Sequence, residues 1–189
     1  AYISSPKKTL FTSNIQPIAT PYSSTNFKRV TNTKVQPYSS ICRISCYKDN
    51  KLVVGTGFLV GSNKLLTAMH CVMDSSTKTA YTNWTCYPGY SNGPYNNYSA
   101  GWQRIYYDKR WMENASAEYD WCLCTLGKDL GQHVGVCYLE TCDDYYLKNA
   151  SITSVGYPTG LDSAKFQYYA DGQITQINSL YFNRTGRLQ

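Results

Sequence analysis

One of only two histidines in the chain, His70, lies at the end of an apolar segment and is a candidate proton acceptor. Imidazole changes its charge near neutral pH, which makes histidine the most common general base in catalysis. Such a base needs a carboxylate on its second ring nitrogen, which fixes the tautomer and stabilises the imidazolium that forms. Asp120 lies 50 residues later, immediately before the apolar segment WCLCTL. The sequence therefore predicts a His70–Asp120 pair that moves a proton.

The elements that position this pair would be short segments in which apolar and polar residues alternate, separated by turn residues. They include SICRISCY, KLVVGTGFLVG, KLLTAMH, YDWCLCTLG, NASITSVGYP and DGQITQINSLYF. The first two are separated by Asp49–Asn50, which is typical of a hairpin turn. No segment has a helical period over twelve or more residues, and residues 81–101, rich in Gly, Pro, Asn and Tyr, are expected to form a long surface loop. This pattern predicts an all-β sandwich or barrel.

Four segments, in a fixed order, resemble those of one protein family. The segment GTGFLVGSNKLLTAMHC resembles the histidine segment of chymotrypsin-like serine proteases, and YDWCLCTL resembles their aspartate strand. RVTNTKVQPYSSI and SVGYP resemble the first strand and the Gly-Tyr-Pro turn of the bacterial glutamyl-endopeptidase branch. The resemblance extends over roughly Arg29 to Gln189.

The resemblance implies an all-β fold of two six-stranded antiparallel β-barrels of the chymotrypsin type, with a cleft between them. The second barrel would be incomplete in this chain. Residues 1–29 would form an extended N-terminal arm or the propeptide remnant of a zymogen. Residues 30–126 would form the first barrel, which carries His70 and Asp120, and residues 127–189 the first part of the second barrel.

The resemblance also implies a secreted serine endopeptidase that hydrolyses peptide bonds of protein or peptide substrates through an acyl-enzyme. In that family's mechanism His70 would be the general base and Asp120 would orient it. The branch implies a preference for cleavage after Glu. Two alternatives remain open, a catalytically inactive homologue acting as an extracellular binding or regulatory protein, and a non-enzymatic extracellular module.

The chain departs from the family pattern most seriously at the nucleophile. The Gly-x-Ser-Gly type of segment does not occur between Pro158 and Gln189, and Ser163 and Ser179 lack the flanking glycines of an oxyanion hole. We therefore expect the serine to come from sequence after Gln189 or from a second polypeptide. A further departure is Met69, which stands before His70 where a small residue is usual.

Eight cysteines without a CxxC pair favour disulfides in an oxidising compartment, and hence secretion, over a metal site. Neither a cofactor nor a metal is predicted. The family's cysteine partner of Cys71 is replaced by Gly55, so other pairings are favoured: Cys71–Cys86, Cys137–Cys142, and cross-pairing of Cys42 and Cys46 with Cys122 and Cys124.

The distribution of charge and of apolar residues argues against two classes of partner. The net charge of +6 is spread along the chain, whereas a nucleic-acid-binding protein usually gathers its basic residues on one face. No apolar run approaches the roughly 18 residues that a membrane span needs. We therefore predict neither a nucleic-acid partner nor a membrane partner.

Overall fold

The computed structural model of the chain describes residues 26–177 and 182–184. Within these ranges ten strands are formed: β1 Lys28–Arg29, β2 Ile41–Lys48, β3 Lys51–Gly61, β4 Lys64–Thr67, β5 Thr82–Pro88, β6 Trp102–Tyr107, β7 Cys122–Leu126, β8 Ser151–Gly156, β9 Tyr168–Ile177 and β10 Phe182–Arg184. Three short helices accompany them: α1 Trp111–Asn114, α2 Leu130–Val134 and α3 Asp144–Asn149. The predicted all-β class is confirmed.

Six strands form one antiparallel sheet in the order β5-β2-β3-β4-β7-β6. The predicted β2–β3 hairpin is confirmed, and both turn residues, Asp49 and Asn50, have the positive φ angles of a tight hairpin turn. At the open ends of the sheet, Cys86 of β5 exchanges two backbone hydrogen bonds with Ala100, just before β6. This bridge brings the two edges of the sheet together and gives it the curl of a barrel.

The interior of this sheet is filled by side chains from alternate strand positions. Fully buried residues include Ile44, Leu59, Leu65, Met69 and Leu126. Each large aliphatic side chain removed from water contributes roughly 1.5–3 kcal/mol to folding. Met69 belongs to this core, so the departure from the family pattern beside His70 is accommodated by an unbranched side chain inside the barrel.

The described part of the second sheet contains β8, β9, β10 and β1, and it is incomplete as a barrel. Strand β9 pairs with β8 along Tyr168–Gln173 and with β10 along Ile174–Ile177. Residues 28 and 29, which the sequence analysis placed in the arm, form β1 on the same strand. The division of the chain at residues 29 and 126 stays a prediction, and residues 1–25 lie outside the described residues.

A buried hydrogen-bond network joins the second sheet to the first. The backbone N–H of Tyr157 donates to Thr56 Oγ1 over 2.9 Å, and the Tyr157 hydroxyl donates to the Tyr90 carbonyl over 3.0 Å. Burial raises the pKa of Tyr157, so its hydroxyl keeps the proton that it donates. Gln167, which is fully buried, donates from Nε2 to Tyr157 Oη and to the Tyr38 carbonyl, each over 3.1 Å. These bonds join the turn after β8 to β3 and to the segment after β5.

Replacing Gln167 with alanine should therefore loosen this contact between the sheets. We expect a loss of about 2 kcal/mol of unfolding free energy, because buried acceptors lose their donor and a cavity forms. Urea unfolding measures the change. Gln132→Ala, at an exposed position of α2, is the matched control and should stay within about 0.5 kcal/mol of the parent. Equal stability of the two variants would contradict the role given to the network.

Two sequence expectations differ from the structure. Residues 81–101 are not one long loop, since they contain β5, whose Trp84 and Cys86 point into the core. The favoured disulfides are absent, because all eight cysteines are free thiols. Five of them, Cys42, Cys46, Cys86, Cys122 and Cys124, are fully buried and pack as small apolar side chains in the barrel. No helix within the described ranges is both long and apolar enough to cross a bilayer.

Candidate active site

Strand register brings His70 and Asp120 together across the 50 residues that separate them. Strands β4 and β7 are antiparallel, with Thr67 opposite Cys122. Thr67 is the last residue of β4 and Cys122 is the first residue of β7. The residues just after β4 therefore lie beside the residues just before β7. A 3₁₀ turn at Met69–Cys71 then presents His70, and a second one at Ala117–Tyr119 ends at Asp120.

Asp120 contacts His70 through both of its carboxylate oxygens. Oδ2 lies 2.5 Å from the ring nitrogen Nδ1, and Oδ1 accepts the backbone N–H of His70 over 2.9 Å. The second contact fixes the carboxylate relative to the backbone that carries the ring. The His70 side chain is 61% exposed, whereas that of Asp120 is 20% exposed. The imidazole is therefore open to solvent while the carboxylate is shielded behind it.

The electrostatics of the pair favour a charged imidazolium. The hydrogen bond to Asp120, with a smaller contribution from Cys71, raises the pKa of His70 from its ordinary 6.5 to about 10. Burial acts to raise the pKa of Asp120, but the hydrogen bond with His70 and its charge lower it below its ordinary value. Asp120 is thus held ionised, and the pair can accept a proton on His70 and stabilise it there.

His70 borders a cavity of about 500 Å³ between the two sheets. Its first wall comes from β3 and the segment around His70, and its second wall from the end of β8 and the turn after it. The lining residues are Val54, Gly55, Thr56, Ala68, His70, Cys71, Ser154, Val155, Gly156, Tyr157 and Thr159. Sequence reasoning identified His70 here but did not assign Thr56, Cys71 or Ser154 to the cleft.

Cys71 lies directly against Gly55 in the cleft wall. A Cβ atom built on Gly55 would stand 2.6 Å from Cys71 Sγ and 3.2 Å from Cys71 Cβ. Real Cβ atoms do not approach sulfur that closely, so the absence of a side chain at residue 55 is a packing requirement. The sequence signal was available, because Cys71 follows the histidine and Gly55 stands where the family often has a cysteine.

Gly55→Ala should therefore strain the wall that holds His70. We expect about 1–3 kcal/mol of destabilisation from overpacking, seen as a lower midpoint in thermal or urea unfolding. Gly160→Ala is the matched control, because nothing lies within 4 Å of a Cβ at that position. The double variant Gly55→Ala/Cys71→Ala should recover most of the loss. If Gly55→Ala were as stable as Gly160→Ala, the close contact between residue 55 and Cys71 would be contradicted.

No described serine completes the pair. Ser154 borders the cleft but has no hydrogen bond to His70 within the described residues, and Ser163 lies elsewhere, in the turn at Asp162–Ala164. Ser179 is outside the described residues. Over residues 26–177 and 182–184, no group of three or more His, Cys, Asp or Glu side chains is placed to hold a metal ion.

Comparison with known proteins gives the family. A model described as a trypsin-like peptidase domain matches residues 55–188. The chain belongs to this family. It is 30% identical over 147 residues to a glutamyl endopeptidase of Bacillus licheniformis, covering 77% of this chain and 44% of that protein. The predicted membership in the chymotrypsin-like superfamily, glutamyl-endopeptidase branch, is confirmed.

A second curated relative of the trypsin-like chain has a different kind of name. The chain is 31% identical over 134 residues to a protein named extracellular metalloprotease from Bacillus subtilis, covering 69% of this chain and 42% of the relative. The chain spans less than half the length of these curated relatives. That relative's name implies a metal ion, but among the described residues of this chain no group of three or more His, Cys, Asp or Glu side chains could hold one.

Solved structures identify the architecture. A Glu endopeptidase in complex with MPD superposes with a TM-score of 0.73 at 25% identity, covering 82% of this chain and 70% of that one. The protease Anisep from Arthrobacter nicotinovorans has a TM-score of 0.66 at 21% identity, over 81% of this chain and 69% of that structure, and shows the shared fold. The fold is therefore of the chymotrypsin type, with its second barrel incomplete in this chain.

Proposed function

We propose that the chain supplies the base and the orienting acid of a secreted serine endopeptidase that acts on protein or peptide substrates. The observation that carries the proposal is the bidentate contact of Asp120 with an exposed His70 at the edge of the cleft. Membership in a peptidase family supports the reaction class. The name of the second Bacillus relative, an extracellular protease, supports secretion.

In this mechanism His70 removes the proton from a serine hydroxyl as that oxygen attacks the scissile carbonyl. Asp120 holds the ring so that one nitrogen faces the cleft, and it stabilises the imidazolium. His70 then gives its proton to the leaving amine, and an acyl-enzyme remains. Water, activated by the same base, hydrolyses that ester. The serine and its oxyanion hole come from sequence after Gln189 or from a second polypeptide.

Cleavage after glutamate is the proposed specificity, and the glutamyl endopeptidase relatives support it. The test uses the protein produced from the gene including whatever reading frame follows Gln189. Two chromogenic peptides that differ only in having Glu or Gln before the scissile bond show how the negative charge of the side chain affects the rate of hydrolysis. We expect faster hydrolysis of the Glu peptide. Equal rates would refute the specificity alone, while no hydrolysis of either peptide, or of a denatured protein substrate, would favour an inactive homologue.

A further inference from the structure

A continuous exposed segment, residues 138–146, forms what we call the acidic aromatic surface. Four large side chains are open to solvent there: Tyr138 at 92%, Leu139 at 67%, Tyr145 at 80% and Tyr146 at 64%. The residues between them are exposed as well. Single exposed hydrophobic residues are normal on protein surfaces, but a contiguous group of this kind usually marks an interaction site.

The same surface carries negative charge in a chain that is basic overall. It contains Glu140, Asp143 and Asp144, which are three of the twelve acidic residues, and no lysine or arginine. None of these carboxylates is paired with a described cation. Asp143 accepts the backbone N–H of Tyr146 and so caps α3, and Asp144 lies in the first turn of that helix. A partner with basic and apolar residues would complement this surface.

The N-terminal arm, residues 1–25, has that composition. It contains Lys7 and Lys8, no aspartate or glutamate, and the apolar residues Tyr2, Ile3, Leu10, Phe11, Ile15, Ile18 and Tyr22. At about 3.3 Å per residue a chain of this length can reach roughly 80 Å, so distance does not limit where it docks.

The arm joins the described structure at β1, which lies on the edge of β9 opposite to β8. Lys28 pairs with Tyr169 in antiparallel fashion, so the chain before Lys28 runs toward the Asp171–Gln173 part of β9. Lys28 and Asp171 are 3.6 Å apart as an ion pair. Gln173 lies opposite Ser151, which follows α3 by two residues, and α3 packs against β9.

We propose that residues 1–25 dock on the acidic aromatic surface, with Lys7 and Lys8 against its carboxylates. The apolar residues of the arm cover Tyr138, Leu139 and Tyr146. The arm is then held on the outer face of the second sheet and not in the cleft. This inference does not depend on the proposed peptidase activity, because it concerns binding within the chain.

Zero-length cross-linking of the full chain tests the docking directly. A water-soluble carbodiimide activates a carboxylate, the lysine amine attacks it, and an amide forms while the carbodiimide leaves as a urea that carries the lost oxygen. We expect peptides that join Lys7 or Lys8 to Glu140, Asp143 or Asp144, identified by mass spectrometry. The Lys28–Asp171 link is the internal positive control. Mixing ¹⁵N-labelled and unlabelled chains separates links within one chain from links between two.

Hydroxyl-radical footprinting of the full chain supplies a second readout. In the variant Lys7→Glu/Lys8→Glu, surface ion pairs worth up to about 1 kcal/mol are lost, so oxidation of Tyr138 should rise by about fivefold. Tyr106, which is 51% exposed on β6, is the control and should not change. Thermal unfolding of the variant and of the parent checks that the substitutions leave the fold intact.

Three outcomes would overturn the proposal. The first is formation of the Lys28–Asp171 link without any link from Lys7 or Lys8 to the surface. The second is linking of these lysines to Glu118 or Asp120, which would place the arm at the cleft. The third is linking only between labelled and unlabelled chains, which would make a second copy the occupant.

Discussion

Replacing His70 with alanine is expected to reduce kcat/KM for peptide hydrolysis by about 10⁴- to 10⁶-fold in the enzyme that contains its serine. The reason is that no other described side chain is placed to take the proton from a nucleophile at the cleft edge. His70 is largely exposed, so its removal leaves no cavity in the core, and the unfolding midpoint should fall only by the loss of the ion pair with Asp120. His133→Ala is the matched control, since His133 lies on α2 stacked against Tyr98 at 5.1 Å.

Asp120→Asn probes the orienting role in the same assay. An amide can still accept the backbone N–H of His70, but its NH₂ group favours the wrong tautomer of the ring. We expect a loss of about 10⁴-fold in kcat. Asp49→Asn, in the exposed β2–β3 turn, should have no effect. Hydrolysis that survives either His70→Ala or Asp120→Asn at the parent rate would remove these residues from the catalytic machinery.

The second large effect is on pH dependence. His70 acts as a base only when neutral, and Asp120 raises its pKa above 6.5 toward about 10. The ascending limb of kcat/KM against pH should therefore lie above pH 6.5. In Asp120→Asn the negative charge is gone, so the residual activity should show its limb displaced to lower pH. An ascending limb at the same pH in both proteins would contradict the coupling of the two groups.

The same pair makes a signed contribution to stability. Because the folded state raises the pKa of His70, the protonated form is favoured on folding. Its contribution is complete below the ordinary pKa of 6.5 and is lost as the pH rises through about 10. For Asp120 the folded pKa is lowered, so its contribution exists above the ordinary 3.8 and is lost on acidification. The difference in unfolding free energy between the parent and Asp120→Asn should therefore be greatest between the two ordinary pKa values, 3.8 and 6.5. Urea unfolding at several pH values measures it.

The all-β class and the two candidate catalytic residues, His70 and Asp120, could be predicted from the sequence, because both depend on local sequence patterns. The Asp49–Asn50 turn predicted the β2–β3 hairpin, and the alternating burial along β7 matches its alternating side chains. The Thr-Ala-x-His-Cys segment drew attention to His70. The short distance between His70 and Asp120 depends on the register of β4 against β7. The sequence indicated that the two residues pair mainly through the family resemblance.

What could not be predicted depends on contacts between distant residues. Residues 81–101 look like a loop by composition, yet β5 forms because Trp84 and Cys86 find room in the barrel. The cysteines looked like disulfide partners by number, but burial of Cys42, Cys46 and Cys124 in the core gives them an apolar role instead. The place of Thr56 in the cleft follows from its bond to Tyr157, a residue 101 positions later.

The central claim is that His70 serves a serine that the described residues do not contain. A fluorophosphonate reagent, which reacts only with an activated serine, tests it most directly in the protein made from the gene with its following reading frame. Mass spectrometry should find one modified serine, located after Gln189 or on a second polypeptide, and the modification should disappear in His70→Ala. No labelled serine, a label on Ser154 or Ser163, or labelling that persists in His70→Ala would contradict the account.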